Sequence, residues 1–267
     1  MISPGLSAPT NPPILMPPYK DNTKMDSGTN IIDGDIIDNP NNPNNPNNKN
    51  NPSSRKKRSS TSFREDLWMD RVIPYTFASH VNQTMKSRIN EAMTYIQTNT
   101  CITFVPKNAG HVDYIEFWTN DCVCASELGR AGGKQQVQVG GYCQVGNVMH
   151  ELMHVLGFFH EHVRPDRDDY VNVFINNVAT KLKSQYWIKE SSDTYELNYD
   201  YDSIMHYPNI WYDDKSTLEV KGDPNTVIGQ RERLSELDII GINMLCVKRC
   251  DPVVALDCDQ LRYQMQL

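Results

Sequence analysis

Three histidines and a glutamate at short, fixed spacing form the strongest chemical pattern in the sequence. His150, Glu151 and His154 stand in the run HELMH, and His160 follows six residues after His154. Residues four apart share one face of a helix, so two imidazoles are expected to meet one metal ion. Gly157 allows the tight backbone that ends a helix and brings His160 back to that ion. Three neutral imidazoles with a fourth position open to water predict a catalytic zinc, one per subunit.

Glu151 is the expected general base, because it stands next to the first ligand. Zinc lowers the pKa of its bound water, and the carboxylate would take the proton during attack on a peptide carbonyl. The open fourth position argues against a closed structural zinc protein. The remaining four histidines lack this spacing and are interpreted as satisfied core residues: His80, His111, His162 and His206.

Charge and hydropathy exclude two classes of protein. The 267 residues carry a formal net charge of −7, whereas a nucleic-acid-binding protein would normally present a basic face. No run of eighteen apolar residues occurs, so no membrane span is predicted. The sequence therefore predicts a chain with no nucleic-acid partner and no membrane-spanning segment.

The seven cysteines all lie after residue 100, which indicates a separate leader without disulfides. In a reducing compartment they would be metal ligands or core thiols, but the proposed zinc site needs no sulfur. Disulfides and a secreted location are therefore favoured, and the odd count leaves at least one cysteine without a partner in this chain. Residues 1–13 lack the charged and apolar regions of a signal peptide. Either the sequence is incomplete at its start or export uses another route.

The leader ends in a low-complexity linker and a basic cluster. Residues 38–52 are rich in Asn and Pro and are predicted to be disordered. Residues 55–58 read RKKR, which a solvated charge run or a nuclear-targeting patch would also explain. An exposed linker is where proteolysis is easiest, so we favour a processing site between Arg58 and Ser59, cut by a furin- or trypsin-like protease.

The elements that must position these residues follow from hydrophobic periodicity after residue 58. Apolar residues at helical spacing predict helices over 81–96 and 234–245. Four short segments read as strands, and Pro74 suggests that the first of them lies at a sheet edge: 72–77, 102–105, 114–118 and 136–139. Strands mixed with a few helices, without regular alternation, predict an α+β fold.

Two longer motifs resemble one family of metallopeptidases. The run HELMHVLGFFHEHVRPDRDDYV at 150–171, with SIMHY at 203–207, is similar to the astacin family of the metzincins. The likeness covers nearly all of 59–250. It implies a two-lobed peptidase domain, with a twisted mixed sheet and long helices in an upper lobe at about 59–157. An irregular lower lobe at about 158–250 would carry one C-terminal helix, and 1–58 and 251–267 would be a propeptide and a short tail.

The same resemblance implies roles for residues outside the histidine run. Met205 would form the hydrophobic floor beneath the zinc, and Tyr207 would be a fifth ligand that swings away to bind the oxyanion. Glu161 would anchor the N-terminus of the mature chain. Asp35, in IIDGDI, matches the aspartate of the family's propeptide motif FxGD, with Ile32 in place of Phe. Asp35 would then coordinate the zinc and displace the water, although Asp-Gly-Asp also forms turns by itself.

The resemblance also implies two disulfides and a substrate pocket. Cys101–Cys250 and Cys124–Cys143 match the family's bridges, and the pairing of three further cysteines stays open: Cys122, Cys246 and Cys258. The family often prefers an acidic residue just after the scissile bond. Arg231 is the candidate that would recognise it, and the alternative is a surface arginine or a structural ion pair.

The function expected from the sequence is a secreted zinc metalloendopeptidase, made as a zymogen and acting on proteins or peptides. The alternative is a catalytically silent secreted binding protein on the same fold. Silent versions usually lose a ligand or the base, and every one of those residues is present.

Overall fold

The computed structural model describes most of residues 67–247 and two short pieces of the N-terminal segment 1–58, for which we keep the name leader. The described residues are 30–32, 35–38, 67–68, 70–119, 123–190, 192–212 and 215–247. Several sequence predictions fall outside these ranges: the linker after Asp38, the processing site at Arg58–Ser59, Cys122, Cys250 and Cys258.

A seven-stranded mixed sheet forms the larger part of the described fold. Its strands lie in the order β1-β2-β6-β7-β5-β3-β4. In chain order they are β1 (Asn30–Ile32), β2 (Ile36–Asp38), β3 (Val72–Phe77), β4 (Thr103–Pro106), β5 (Tyr114–Trp118), β6 (Cys124–Ser126) and β7 (Lys134–Val139). Two smaller ribbons pair β8 (Val171–Val173) with β11 (Leu218–Val220), and β9 (Ile210–Tyr212) with β10 (Lys215–Ser216).

The sheet is parallel in its centre and antiparallel at β6. Strands β4, β3, β5 and β7 run parallel, whereas β6 pairs antiparallel with β7. The leader adds the hairpin β1-β2, and β2 pairs with β6 in a parallel direction at Ile36 and Ser126. With the three helices, this mixed sheet confirms the predicted α+β fold.

The edge position suggested for β3 is wrong. This strand lies between β4 and β5. Pro74 pairs with Val105 of β4, while the pairing with β5 begins only at Tyr75. A proline removes one ladder donor, and here it stands before the section of the strand that has neighbours on both sides.

The described residues include three α-helices: α1 (Gln83–Asn99), α2 (Val145–Val155) and α3 (Glu236–Val247). Helix α1 begins where the side chain of Asn82 accepts a hydrogen bond from Met85 N at 2.9 Å. Its inner face carries the apolar stripe that the periodicity predicts: Met85, Ile89, Met93 and Ile96. Helix α2 is buried from Gly146 to Val155, so it forms the centre of the core.

Two apolar clusters meet at the segment 203–207. The larger cluster contains α1, α2, the inner face of the sheet and the α3 residues Ile242 and Leu245. The smaller cluster is built around the ribbon β8-β11 and the segment 178–186. Met205 belongs to the larger cluster and Tyr207 to the smaller one. The short segment between them therefore crosses from one core to the other.

The disulfide predicted between Cys101 and Cys250 is wrong, because the structure joins Cys101 to Cys246. Helix α3 continues past Leu245, which places Cys246 in its last turn, one turn beyond Ile242. Cys101 N donates to Asn243 Oδ1 at 2.9 Å, so Cys101 lies against that end of α3. A second bridge joins Cys124 to Cys143, the pair implied by the resemblance. Among the described residues no helix is both long and apolar enough to cross a membrane.

Candidate active site

Helix α2 and the turn after it bring the imidazoles of the three histidines around one common position. His150 and His154 lie one turn apart on α2. Gly157 has a φ of 99°, a left-handed value that favours glycine, and its N–H donates to His154 O at 2.8 Å. The chain therefore leaves the helix sharply and returns with His160. All three imidazoles are buried.

Backbone carbonyls fix the orientation of two of the rings. His150 Nδ1 lies 2.8 Å from Ile204 O, and His154 Nδ1 lies 2.7 Å from Phe158 O. A carbonyl only accepts, so each Nδ1 must carry the proton and each Nε2 must present its lone pair. These lone pairs face the centre of the cluster, which is the arrangement that a metal ion requires.

The donor set fits zinc. His154 Nε2 and His160 Nε2 are 3.2 Å apart. Two nitrogens bound tetrahedrally to zinc at about 2.05 Å would be roughly 3.3 Å apart. Burial lowers the pKa of His150 to about 3, with the charge of Arg231 adding to the effect, and burial also lowers the pKa of His160. Neutral imidazoles are the form that binds a metal.

Asp35 from the leader occupies the remaining side of the cluster. Its carboxylate oxygens lie 3.0 Å from His150 Nε2, 3.2 Å from His154 Nε2 and 3.1 Å from His160 Nε2. Together the four side chains form a group whose donor atoms all lie within 4.8 Å of one another. Burial alone would raise the pKa of Asp35, but His160 and His154 hold it well below its usual range.

Glu151 lies in the same buried space, and its carboxylate has no hydrogen-bond partner among the described residues. The side chain is fully buried, and neither Oε1 nor Oε2 is paired. Burial first, and then the charge of Asp35, raises the pKa of Glu151 well above its usual value. Buried polar groups are normally paired, and an unpaired carboxyl group beside a metal centre is a candidate acid or base.

The segment 203–207 is held by both α3 and the first ligand. Asp238 of α3 accepts hydrogen bonds from Ser203 Oγ at 2.7 Å and from Ile204 N at 2.9 Å. The next residue, Met205, donates its N–H to Ser203 Oγ at 3.0 Å. Since Ile204 O also accepts from His150, this turn is fixed against the metal centre from two sides.

Tyr207 follows that turn and packs against the third ligand. Its side chain is fully buried, and its ring centroid lies 4.5 Å from that of His160. A second histidine, His162, stacks on the same tyrosine at 4.0 Å. The structure thus brings Tyr207 to the site, as the resemblance implies, and adds a neighbour that no pattern in the sequence selects.

Arg231 is half-buried, with Nε and Nη2 of its guanidinium fully covered, and within the described part of the chain it forms no side-chain ion pair. Its Nη1 donates to His206 O at 2.9 Å and to Gln230 O at 2.8 Å, while Nε and Nη2 are buried without partners there. Its charge acts on Asp35 and Glu151. A guanidinium that lies beside the three-histidine cluster and has unpaired N–H donors could bind an anionic group.

Glu161 lies on the other side of the third ligand, beside a cavity. It accepts hydrogen bonds from Arg164 Nη1 and from Asp200 N, both at 2.9 Å. Burial raises the pKa of Glu161 to about 8, although Arg164 opposes the shift. The cavity is lined by residues from three segments, among them Phe158, Tyr195, Asp238 and Gly241.

Sequence reasoning misses two residues that shape the site. Asp238 could be found from the run SELD, because Ser at an N-cap followed three residues later by an acid is a capping signature. Ser235 and Asp238 do form this reciprocal pair. His162 carries no sequence signal beyond that of a core histidine, and only the packing on Tyr207 distinguishes it.

Comparisons with known proteins agree with this geometry. The protein-family model for Astacin, a peptidase family, matches residues 60–246. Zinc metalloproteinase nas-13 of Caenorhabditis elegans is 43% identical over 189 residues, which cover 67% of this chain and 40% of the relative. A Bone morphogenetic protein 1 homolog of Strongylocentrotus purpuratus is 38% identical over 208 residues, covering 72% of this chain and 32% of the relative. The chain thus spans two fifths or less of these two relatives.

This chain is also similar to a solved structure. The structure of High choriolytic enzyme 1, a hatching enzyme zinc-protease from Oryzias latipes, is similar with a TM-score of 0.64 and 33% identity. The match covers 71% of this chain and 97% of that chain. With a family match over more than two thirds of its length and a three-histidine zinc centre, this chain belongs to the astacin family of peptidases.

Proposed function

We propose that this chain is a secreted zinc metalloendopeptidase that is made as a latent precursor. The observation that carries the proposal is the unpaired, buried Glu151 beside three imidazoles whose lone pairs converge. A closed structural zinc site is filled by four protein ligands and binds no water, so it needs no carboxyl group as a base. Membership in a family of zinc proteases supports the same reaction class.

Each residue of the site has a chemical task in this proposal. His150, His154 and His160 hold the zinc, which lowers the pKa of a water to about 7 and polarises the substrate carbonyl when bound. The Glu151 carboxylate accepts a proton from the attacking water and passes it to the leaving nitrogen. The Tyr207 hydroxyl donates a hydrogen bond to the developing oxyanion.

The substrate backbone is proposed to pair with strand β6. In the described structure β6 has β7 on one side and the leader strand β2 on the other. Ser126 N already donates to Asp35 O at 3.0 Å, so this edge offers a backbone donor close to the centre. An extended peptide can add to such an edge once the leader has left.

Arg231 is proposed to select the substrate residue just after the scissile bond. Two of its nitrogens are buried without partners among the described residues, and leaving such donors unpaired is costly. An acidic substrate side chain would satisfy them and would place a negative charge against the guanidinium. We expect peptides with Asp or Glu at that position to be cleaved faster than matched peptides with Asn or Gln.

Latency is proposed to come from Asp35 and to end with cleavage after Arg58. Asp35 lies within 3.0–3.2 Å of the three Nε2 atoms, where the water and the substrate carbonyl would otherwise be. Cleavage by a furin- or trypsin-like protease would release this carboxylate. The new ammonium group of Ser59 would pair with Glu161, whose carboxyl group borders a cavity.

The test is made on residues 1–267, secreted from eukaryotic cells behind an added signal peptide. The purified precursor is treated with a trypsin-like protease that is then inhibited, and cleavage of an unfolded protein substrate is followed. Glu151→Gln is the matched control, because the amide keeps the shape of the side chain and cannot accept the proton. Zinc-dependent turnover that needs cleavage and is lost in the control is the expected result. A folded, zinc-loaded, cleaved protein without turnover would instead favour the silent binding protein.

A further inference from the structure

Tyr207 packs against a group of aromatic rings. The ring of His162 stacks on the tyrosine at 4.0 Å with an interplanar angle of 27°. Tyr186 makes an edge contact with the tyrosine at 5.8 Å and 85°, and it also contacts the ring of His162 at 5.2 Å. His160 stands at 4.5 Å and 60°, so the third zinc ligand and His162 contact the same ring. We call His162 and Tyr186 the tyrosine platform.

One buried arginine holds the backbone of both residues of the tyrosine platform. Arg167 Nη1 donates to His162 O at 2.9 Å and to Tyr186 O at 3.0 Å. His162 Nε2 also lies 3.0 Å from Gln185 O, the carbonyl next to Tyr186. Because a carbonyl only accepts, Nε2 carries the proton and the ring plane of His162 is set. His162 and Tyr186 are thus tied to each other, and Tyr207 packs against both rings.

An imidazole at this position is hard to explain by packing alone. His162 is fully buried, and its Nδ1 has no hydrogen-bond partner among the described residues. A buried polar atom without a partner destabilises the fold, whereas a leucine would fill the space without that penalty. What the imidazole offers instead is a small flat surface with a fixed plane against Tyr207.

We propose that His162 is a positioning residue for Tyr207. This inference rests on the proposed function, in which the Tyr207 hydroxyl donates to the oxyanion. A ring stacked on a fixed plane can slide within its own plane but cannot tilt freely. His162 therefore limits the tyrosine to the motion that carries its hydroxyl between the zinc centre and the substrate oxygen. Preorganised donors are effective because they need no reorganisation during the reaction.

The test is a double-mutant cycle on the activated enzyme. Tyr207→Phe is expected to lower kcat by about 100-fold, the usual effect of losing one oxyanion donor. His162→Leu, which removes the flat ring, is expected to lower kcat by roughly 10-fold with KM within about twofold of wild type. The double variant is expected to match Tyr207→Phe within about twofold, because His162 acts only through the tyrosine hydroxyl. His162→Phe, which keeps a flat ring, is expected to recover most of the loss.

Two further readouts separate positioning from a general structural role. The affinity for a phosphinic peptide, a tetrahedral analogue, is expected to fall in parallel with kcat in His162→Leu. Bound zinc, measured by metal analysis, is expected to stay at one ion per chain. If His162→Leu does not fold, the same cycle is run with His162→Gln, whose amide still donates to Gln185 O. The proposal would be overturned if the losses in kcat of the two single variants multiplied in the double variant. It would also be overturned if His162→Leu changed only KM, or if Tyr207→Phe left kcat unchanged.

Discussion

At the scale of single residues, the site places two carboxyl groups with opposite pKa shifts around one centre. Asp35 has a lowered pKa because the histidines surround it, and Glu151 has a raised pKa chiefly because it is buried. The charge of Asp35 contributes to the shift of Glu151. Removing the leader would therefore open the fourth side of the zinc centre and would also remove one cause of the raised pKa.

Asp35→Ala should weaken latency without affecting the mature enzyme. Asp35 is the one leader residue in the four-residue metal group, and the uncleaved variant should show at least about tenfold more turnover than the uncleaved wild type. Turnover is measured before and after protease treatment. The treated samples are an internal control, since cleavage removes residue 35 from both proteins. Equal turnover of the two uncleaved proteins would contradict the role of Asp35.

Glu161 should make the precursor less stable as pH rises. Its pKa in the fold is about 8, above the ordinary glutamate value near 4.5. Between these values the folded state holds a proton that the unfolded chain has released, so the free energy of unfolding falls as pH increases. Glu161→Gln removes this proton uptake. The variant should gain stability relative to wild type from pH 5 to pH 8, by a few kcal/mol at most.

Denaturant unfolding of the uncleaved precursors at several pH values provides the measurement. Asp238, whose pKa burial raises to about 6, titrates in both proteins, so the comparison is read above pH 7, where Asp238 is already ionised. A difference between variant and wild type that does not change with pH would show that Glu161 is ionised in the precursor.

At the scale of elements, the site depends on how helix ends are built. Helix α2 ends at Val155, two residues before the left-handed Gly157, and α3 begins with the reciprocal pair Ser235 and Asp238. The same Asp238 carboxylate reaches the segment 203–207, so one side chain caps a helix and fixes the turn next to the first zinc ligand. The geometry of the centre therefore depends on a helix that contributes no ligand.

Asp238→Ala should destabilise the fold more than the loss of a helix cap alone. The carboxylate accepts from Ser203, Ile204 and Ser235, and each buried donor left unpaired costs about 1–3 kcal/mol. We expect a loss of roughly 3 kcal/mol or more in the free energy of unfolding. Glu236→Ala is the matched control, because this exposed acid in the same turn should cost about 0.3–1 kcal/mol. Equal losses in the two variants would mean that the contacts to 203–207 contribute little.

Local sequence patterns predict the helices and most strands well, but they do not predict contacts between distant segments of the chain. Helical periodicity finds α1 within three residues at each end, because Asn82 caps it and its stripe faces the core. Strand β6 escapes prediction, since its three residues are all buried and show no alternation. The zinc ligands are readable because they lie within eleven residues. Asp35 and Arg231 converge on them from far along the chain, and only the family resemblance selects them.

At the scale of the whole molecule, two bridges join segments that the sheet and helices already bring together. Cys124–Cys143 connects β6 to the segment before α2 and closes a loop across 19 residues. Cys101–Cys246 connects the end of α1 to the end of α3 across 145 residues. Periodicity predicts that the last helix ends at residue 245, which leaves Cys246 outside it. Choosing between Cys246 and Cys250 requires the actual length of α3.

The pairing of Cys101 can be tested by exchanging one sulfur at a time. Cys246→Ser should lower the free energy of unfolding by about 2–5 kcal/mol, because a bridge across 145 residues restricts the unfolded chain strongly. It also leaves a hydroxyl in a fully buried position at the end of α3. Cys250→Ser is the matched control and should leave this stability within about 0.5 kcal/mol of wild type.

Both variants are unfolded by denaturant under oxidising conditions, and the wild-type bridge is mapped by mass spectrometry of the unreduced, digested protein. A peptide joining Cys101 to Cys246 is the expected product. A large loss in Cys250→Ser with little loss in Cys246→Ser would reverse the assignment and restore the family-like bridge. Equal, small losses would mean that packing of the α3 residues Ile242 and Leu245 in the core, rather than either bridge, holds the end of the helix against α1.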